Sequence, residues 1–423
     1  MIVTEVFQDI EPIPQDDGPH PVCAIDYPEK FVEAMDYLRA LIQIDEHSER
    51  ALQLTALCLR YNPANYTTWW YRRRCLSALA LSKGGKSTST NDGNADGNVN
   101  DGSNGNGNDN DNNSGNDNNS GNGNDNGNGS GSGIYYDFKR IMEDLELASA
   151  IGGSNPKNYQ IWYHRRSLLE LSFEKLEQQE QQQLESKSES ESESESESEP
   201  KFDGKQLARN ELKYIAGVLQ EDSKNYHAWS HRQWILKTIN DDELWSNEMK
   251  YTTQLIDEDV RNNSAWNQRW LTTHRGKNKP LSIYDARSEA DYAIEITTLD
   301  PYNESPLRYL VALLREQQNQ NNNHSSSEEQ QAEQGGGETI FLSFLNHVEE
   351  KIGGLHERLI GVYESSSLMA AYIDLMEMKH DLDSFEKASV MANDLGVKFD
   401  IVRKKYWLMR EAKLKSKVLE LRG

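Results

Sequence analysis

The sequence predicts an all-α protein: a right-handed α-α superhelix in which helical hairpins stack into a crescent-shaped solenoid. Three observations carry that reading. A cassette of Asn, then Trp four residues on, then Arg three beyond recurs as Asn65…Trp69…Arg72, Asn158…Trp162…Arg165, Asn225…Trp229…Arg232 and Asn262…Trp266…Arg269. The stretches between copies place apolar residues at steps of three and four, the period of one helix face. Where no low-complexity tract intervenes, copies recur at 37 residues (Trp229 to Trp266), then at 41 to Leu307 in a decayed fifth copy, Asn303-Glu304-Ser305-Pro306-Leu307. A period of ~35–40 residues with two helices per unit is that of an α-solenoid, whose helix pairs bury their apolar faces only against neighbours.

Along the chain, residues 1–29 read as an extended N-terminal segment and 30–423 as the repeat solenoid. In 30–44, Phe31, Met35, Leu38 and Ile42 line one helix face. Segments 48–60, 205–220, 245–257 and 285–298 read the same way. Asn62-Pro63-Ala64-Asn65, Asn155-Pro156-Lys157-Asn158 and Asp300-Pro301-Tyr302-Asn303 mark the joints, where Pro ends one helix and Asn caps the next. About six or seven hairpins are expected, and no period-two strand appears. Three polar tracts interrupt the pattern: 83–133 (Asn, Gly, Asp, Ser), 177–200 (Gln, then a Ser-Glu alternation) and 316–338 (Gln, Asn, Ser, Glu). Such compositions cannot bury enough apolar surface to offset the entropy of ordering, so all three are expected to be disordered insertions.

The formal net charge is −24, but residues 82–133 (−5), 185–199 (−6) and 316–338 (−5) hold a net −16 of it. The remainder is only mildly acidic, and no basic stripe suggests nucleic acid. Cys23, Cys58 and Cys75 form no CxxC pair and no Cys/His cluster at metal spacing. They read as reduced thiols of a cytoplasmic protein. The N-terminus lacks the basic start and apolar core of a signal peptide. No run approaches the ~18 apolar residues of a membrane span.

The two ends of the cassette suit different work. Trp69, Trp162, Trp229 and Trp266 offer large apolar area between hairpins, and the arginines can reach carboxylates or carbonyls of the adjacent unit. These are packing and joint residues. The Asn-Tyr pairs instead sit at helix starts, outside the apolar face. Tyr66, Tyr159, Tyr226 and Asn263 are expected along one rim, and a row of helix N-termini favours an anion. Lys157 and Lys224 add cations at two such turns. From spacing alone, Lys157 is either a phosphate or diphosphate contact or a solvated turn lysine.

The cassette resembles the repeat of protein prenyltransferase α subunits, and most closely the α subunit shared by protein farnesyltransferase and type I geranylgeranyltransferase. The strings that carry this are 156–166 (PKNYQIWYHRR), 224–234 (KNYHAWSHRQW) and 258–269 (EDVRNNSAWNQR), with 12–19 and 401–407 also similar. The resemblance spans nearly the whole chain apart from the three tracts. It implies a crescent wrapped around a separate β subunit. Together the subunits move a farnesyl or geranylgeranyl group from its diphosphate to the cysteine of a C-terminal Cys-a-a-X sequence. Zinc is expected in the β subunit, and Mg2+ with the diphosphate. The resemblance assigns Lys157 to the diphosphate, with Tyr159 beside it. It assigns Gln160 to the carboxylate of the peptide's last residue, Asn225, Tyr226 and His227 to a second cluster facing the active site, and Tyr66 to the peptide's path.

Two features depart from that pattern: the length of the polar tracts, and Leu307 in place of Trp in the fifth copy. Period and composition also fit a tetratricopeptide-type scaffold that binds protein tails without chemistry. The α subunit of the Rab-type geranylgeranyltransferase shares the repeat but differs in its strings. The Lys157–Gln160 turn favours the enzyme subunit.

Overall fold

Capping decides where the helices begin. The structure, a computed structural model, describes residues 3–20, 25–82, 138–153, 155–189, 204–276, 280–325, 334–360 and 364–423. In every copy the cassette Asn stands before the first helical residue, and its Oδ1 accepts a backbone N–H of the first turn. The donors are Thr68 to Asn65 (2.9 Å), Gln160 to Asn158 (3.1 Å), Ala228 to Asn225 (3.1 Å), Ser264 to Asn262 (3.1 Å) and Ser305 to Asn303 (3.0 Å). The same Asn closes a turn through its own N–H, bonded to the carbonyl three residues back in all five copies, for example Asn158 to Asn155 (3.1 Å). Asn62, Asp222, Asp259 and Asp300 brace four of these turns by accepting the N–H two residues on.

The chain forms two compact units, Met1–Ser194 and Glu195–Gly423. The first holds α1 (Val3–Val6), α2 (Glu29–Gln43), α3 (Glu49–Tyr61), α4 (Tyr66–Ser82), α5 (Phe138–Gly152) and α6 (Tyr159–Glu189). The second holds α7 (Gly204–Glu221), α8 (Tyr226–Ile239), α9 (Asp242–Glu258), α10 (Asn263–Thr273), α11 (Ile283–Leu299), α12 (Glu304–Ser325), α13 (Gln334–Leu359), α14 (Ser366–Lys379), α15 (Leu382–Asp394) and α16 (Lys404–Arg422). Helices pair in sequence as α3–α4, α5–α6, α7–α8, α9–α10, α11–α12, α13–α14 and α15–α16. This is the expected all-α, α-α superhelical class, and no strand occurs among the described residues. The five helices read from periodicity appear with ends shifted by three residues or fewer. The largest shift is at α9, where Asp241 caps the helix through the N–H groups of Glu243 and Leu244.

In the first unit one core gathers Phe7, Leu38, Leu41, Leu54, Cys58, Tyr71 and Cys75. A second gathers Leu59, Trp69, Ala148, Ile151 and Ile161, joining α3–α4 to α5–α6. The N-terminal segment is not simply extended. It opens with one helical turn, and Phe7 is buried against Tyr37 (ring centroids 5.5 Å apart) under the Arg50 guanidinium (5.1 Å). In the second unit the largest core runs from Ile256 through Trp266, Leu307, Leu310 and Phe344 to Leu375. A separate core around Trp407 and Phe385 closes the C-terminal hairpin.

The polar tracts differ from expectation in part. Residues 83–133 lie outside the described residues, but α6 runs on to Glu189, α12 to Ser325, and α13 begins at Gln334. Gln, Glu and Leu are good helix formers, and extending a nucleated helix needs no new nucleus. The start of the third tract is packed: Glu316 accepts the Leu281 N–H (3.2 Å) and pairs with His274 (3.0 Å), while Gln317 and Gln320 donate to the Leu281 carbonyl (3.0 and 3.1 Å).

Candidate functional site

Each cassette splits between a buried back and an exposed front. At the back, every Trp indole N–H donates to the carbonyl six residues earlier: Trp69 to Pro63 (2.8 Å), Trp162 to Pro156 (2.7 Å), Trp229 to Ser223 (2.9 Å) and Trp266 to Val260 (3.1 Å). Arg165 donates to Leu145 O and Ser149 Oγ of its own hairpin (both 2.7 Å), and in the other three copies the Arg three residues on is a fork between hairpins. Arg72 grips Asp144 of the next hairpin (2.7–3.0 Å) and donates to Leu52 O of its own (2.8 Å). Arg232 grips Glu248 of the next hairpin (2.6–3.0 Å) and donates to Leu212 O (2.9 Å). Arg269 takes Glu289 (2.7 and 2.8 Å). The sequence reading expected carboxylates or carbonyls of the adjacent unit; the carboxylates of Asp144, Glu248 and Glu289 are there, but the carbonyls of Leu52 and Leu212 belong to the arginine's own hairpin.

Sequence reasoning missed the carboxylates. Each lies 20 residues before the residue six places after the cassette Asn, which precedes the Arg (Leu310 in the fifth copy), and bonds to it. The pairs are Asp144 with His164 (2.7 Å), Glu211 with His231 (2.9 Å), Glu248 with Gln268 (2.8 Å) and Glu289 with Tyr309 (2.7 Å). The findable signal was that fixed spacing. Burial alone would raise the Asp144 pKa, but the Arg72 charge and the His164 hydrogen bond outweigh it and hold it at about 2. Burial pushes His164 below its ordinary 6.5 despite the carboxylate beside it. Among the described residues its Nδ1 has no hydrogen-bond partner. That suits a neutral ring donating through Nε2, since a bare lone pair is cheaper to bury than a bare N–H.

At the front, Tyr66, Tyr159 and Tyr226 are each the first residue of a helix and stand 69, 60 and 74% exposed. Lys157 is exposed in the turn before α6, and Asn263 is exposed at the start of α10. His227 is half-buried, edge-on to Tyr226 (ring centroids 5.3 Å apart). Gln160 and Asn225 are buried at 7 and 2% exposure. The Asn225 oxygen is engaged in the α8 cap, so that residue shapes the turn.

Tyr66, Lys157, Tyr159 and Gln160 stand on adjoining turns of the first unit; Asn225, Tyr226 and His227 share one turn of the second. Two grooves of the second unit, about 840 and 990 Å³, are lined from α12, α14 and α16, and none of these residues lines either. Among the described residues no group of three or more His, Cys, Asp or Glu stands together to hold a metal ion. No described helix is long and apolar enough to cross a membrane.

Residues 48–79, 141–172, 208–239 and 245–275 match the protein prenyltransferase alpha subunit repeat. Proteins named protein farnesyltransferase/geranylgeranyltransferase type-1 subunit alpha are similar over one stretch. The tomato (Solanum lycopersicum) protein is 53% identical over 75 residues, 18% of this chain and 22% of its own length. The Arabidopsis thaliana protein is 52% identical over 73 residues, 17 and 22%. The Dictyostelium discoideum protein is 47% identical over 73 residues, 17 and 23%. The matched stretch therefore spans under a quarter of these relatives. In fold the chain is similar to a solved chain of Candida albicans protein geranylgeranyltransferase-I complexed with GGPP. The TM-score is 0.58 at 20% identity, covering 96% of this chain and 98% of that one. The chain thus carries four stretches that match the protein prenyltransferase alpha subunit repeat, and over one stretch it resembles the alpha subunit shared by farnesyltransferase and geranylgeranyltransferase type 1.

Proposed function

We propose that the chain is the α subunit of a heterodimeric protein farnesyltransferase/geranylgeranyltransferase type I, active only with its β subunit. The observation that carries the reading is the Lys157-Asn158-Tyr159-Gln160 turn, with Lys157 and Tyr159 exposed at the start of α6. In the reaction a peptide cysteine thiolate attacks the first carbon of a farnesyl or geranylgeranyl diphosphate. The C–S bond forms as the C–O bond breaks, and diphosphate leaves with the electron pair. Negative charge grows on the leaving oxygens. An ammonium and a phenolic O–H at a helix N-terminus act on that charge as it develops, which lowers the barrier rather than merely binding substrate.

Lys157 is the main contact to the diphosphate and Tyr159 its neighbour. Gln160 is assigned to the carboxylate of the Cys-a-a-X peptide. Tyr66 is assigned to the peptide's path, and Asn225, Tyr226 and His227 to a second substrate-binding cluster facing the active site, whose turn the Asn225 cap shapes. On this reading zinc sits on the β subunit and Mg2+ accompanies the diphosphate. The enzyme works in the cytoplasm, in keeping with Cys58 and Cys75, which are free and buried, their thiols each pushed up to about 12 chiefly by burial.

The test is co-expression with a prenyltransferase β subunit and assay of transfer to a Cys-a-a-X peptide. A stable complex that transfers nothing would leave a binding scaffold as the answer. In the active complex, Lys157→Ala is expected to slow single-turnover transfer by about 10²-fold, with a smaller change in prenyl diphosphate affinity. Unchanged single-turnover chemistry would remove Lys157 from the mechanism.

A further inference from the structure

We infer that Asn158 is a positioning residue that fixes the Lys157–Gln160 turn against the Tyr66 turn of the preceding repeat; the inference rests on the reading just proposed. Its side chain does two jobs at once. Oδ1 accepts the Gln160 N–H (3.1 Å), shaping the start of α6, and Nδ2 donates to Pro63 O (2.7 Å) in the preceding joint. Pro63 O already receives the Trp69 indole N–H (2.8 Å), so both of its lone pairs are used. Only one amide orientation serves both bonds, because Pro63 O can only accept. Asn158 is 8% exposed. One buried amide therefore joins the turn carrying Lys157, Tyr159 and Gln160 to the turn that leads, three residues on, into Tyr66.

The same staple recurs where no assigned residue stands. Asn303 Nδ2 donates to Val260 O (2.6 Å), the carbonyl that takes the Trp266 indole, and Asn303 Oδ1 accepts the Ser305 N–H. One hairpin later, Ser365 caps α14 through the Leu368 N–H (3.1 Å) and donates to Pro301 O (2.5 Å). Ser365 so marks a sixth copy, with Met369 in the Trp place and Tyr372 in the Arg place. The chain thus supplies its own controls: a matched staple remote from the Lys157 turn, and a serine that performs both bonds.

Truncating Asn158 removes a cap and an inter-repeat bond, letting the Lys157 turn shift against its neighbour. A misplacement of about 1 Å in a catalytic constellation costs up to ~10²-fold in rate. In the reconstituted heterodimer, Asn158→Ala is expected to slow single-turnover transfer about 10–100-fold, with prenyl diphosphate affinity changed less. Asn303→Ala, which removes the same pair of bonds, should lower the melting temperature by a similar amount and leave the single-turnover rate of assembled complex near wild type. Asn158→Ser should recover much of the rate. Asn158→Asp should not, because it keeps the acceptor but turns a carboxylate toward Pro63 O.

Equal rate losses in Asn158→Ala and Asn303→Ala, tracking loss of assembled complex, would make the staple purely structural and overturn the inference. So would a normal rate in Asn158→Ala while Lys157→Ala is slow. Should Asn158→Ala fail to assemble, the Ser and Asp variants decide: equal rates refute positioning, and a faster Ser variant supports it. Failure of wild-type complex to transfer at all strikes the proposed function instead.

Discussion

His164 shows how one side chain can carry a repeat's pH response. It is fully buried, 2.7 Å from Asp144, and its pKa is lowered chiefly by burial. Its folded pKa lies below the unfolded value, so its stabilising effect is present above pH 6.5 and is lost as the pH falls toward the folded pKa. Asp144 is depressed too, from 3.8 to about 2, so its share persists above 3.8 and is lost only as the pH falls through 2. Between pH 7 and 5 the histidine alone of this pair should erode stability. The melting temperature of His164→Gln, which copies Gln268 of the fourth cassette, should fall less steeply over that range than that of wild type. Parallel curves from pH 7.5 to 5 would show that His164 does not carry the response. The Trp, Arg and Asn of each cassette were legible because their spacing is fixed and their types are distinctive. Asp144, Glu211, Glu248 and Glu289 are harder to read, since acids are common in these helices and only the fixed spacing of 20 residues to their cassette partners marks them.

At the scale of elements, Arg232 ties hairpin α7–α8 to hairpin α9–α10. Its fork meets Glu248 with both partners at 5% side-chain exposure or less, and its guanidinium lies 3.9 Å over the Tyr251 ring. Such a pair adds little over an apolar isostere, but removing one partner strands the other charge in the interior. Arg232→Met is expected to destabilise the chain by about 3–5 kcal/mol. Adding Glu248→Gln should return a large part of that, because the stranded charge is gone. Denaturant unfolding of both variants measures it, and additive losses in the double variant would contradict the account. Helix starts were legible from Asn65, Asn158, Asn225, Asn262 and Asn303. The continuation of α6 and α12 into polar tracts was not: composition argues for disorder, but a packed N-terminal half can propagate helix into Gln- and Glu-rich sequence.

Over the whole molecule, the 83–133 tract falls between α4, ending at Ser82, and α5, starting at Phe138. Both helices are held by their own hairpins: Trp69 and Cys75 of α4 and Leu145 and Ala148 of α5 are buried. Arg72 and Asp144 already join them without the tract. Deleting 84–132 should leave β-subunit binding and transfer rate nearly unchanged, as read by co-purification and the peptide assay. A large loss of either would assign the tract a structural part.

By itself the sequence determined the hairpin repeat, the helix starts and the residues that carry its resemblance to prenyltransferase α subunits. Capping and 3.6-residue periodicity are local, and a repeated local signal survives without knowledge of neighbours. The tertiary structure alone decided which acid each arginine meets, that Gln160 and Asn225 are buried while Tyr66, Tyr159 and Tyr226 are exposed, and that Asn158 and Ser365 staple one repeat to the one before. Those contacts depend on groups 16 to 95 residues apart in sequence being brought within hydrogen-bond reach, and only packing the hairpins does that.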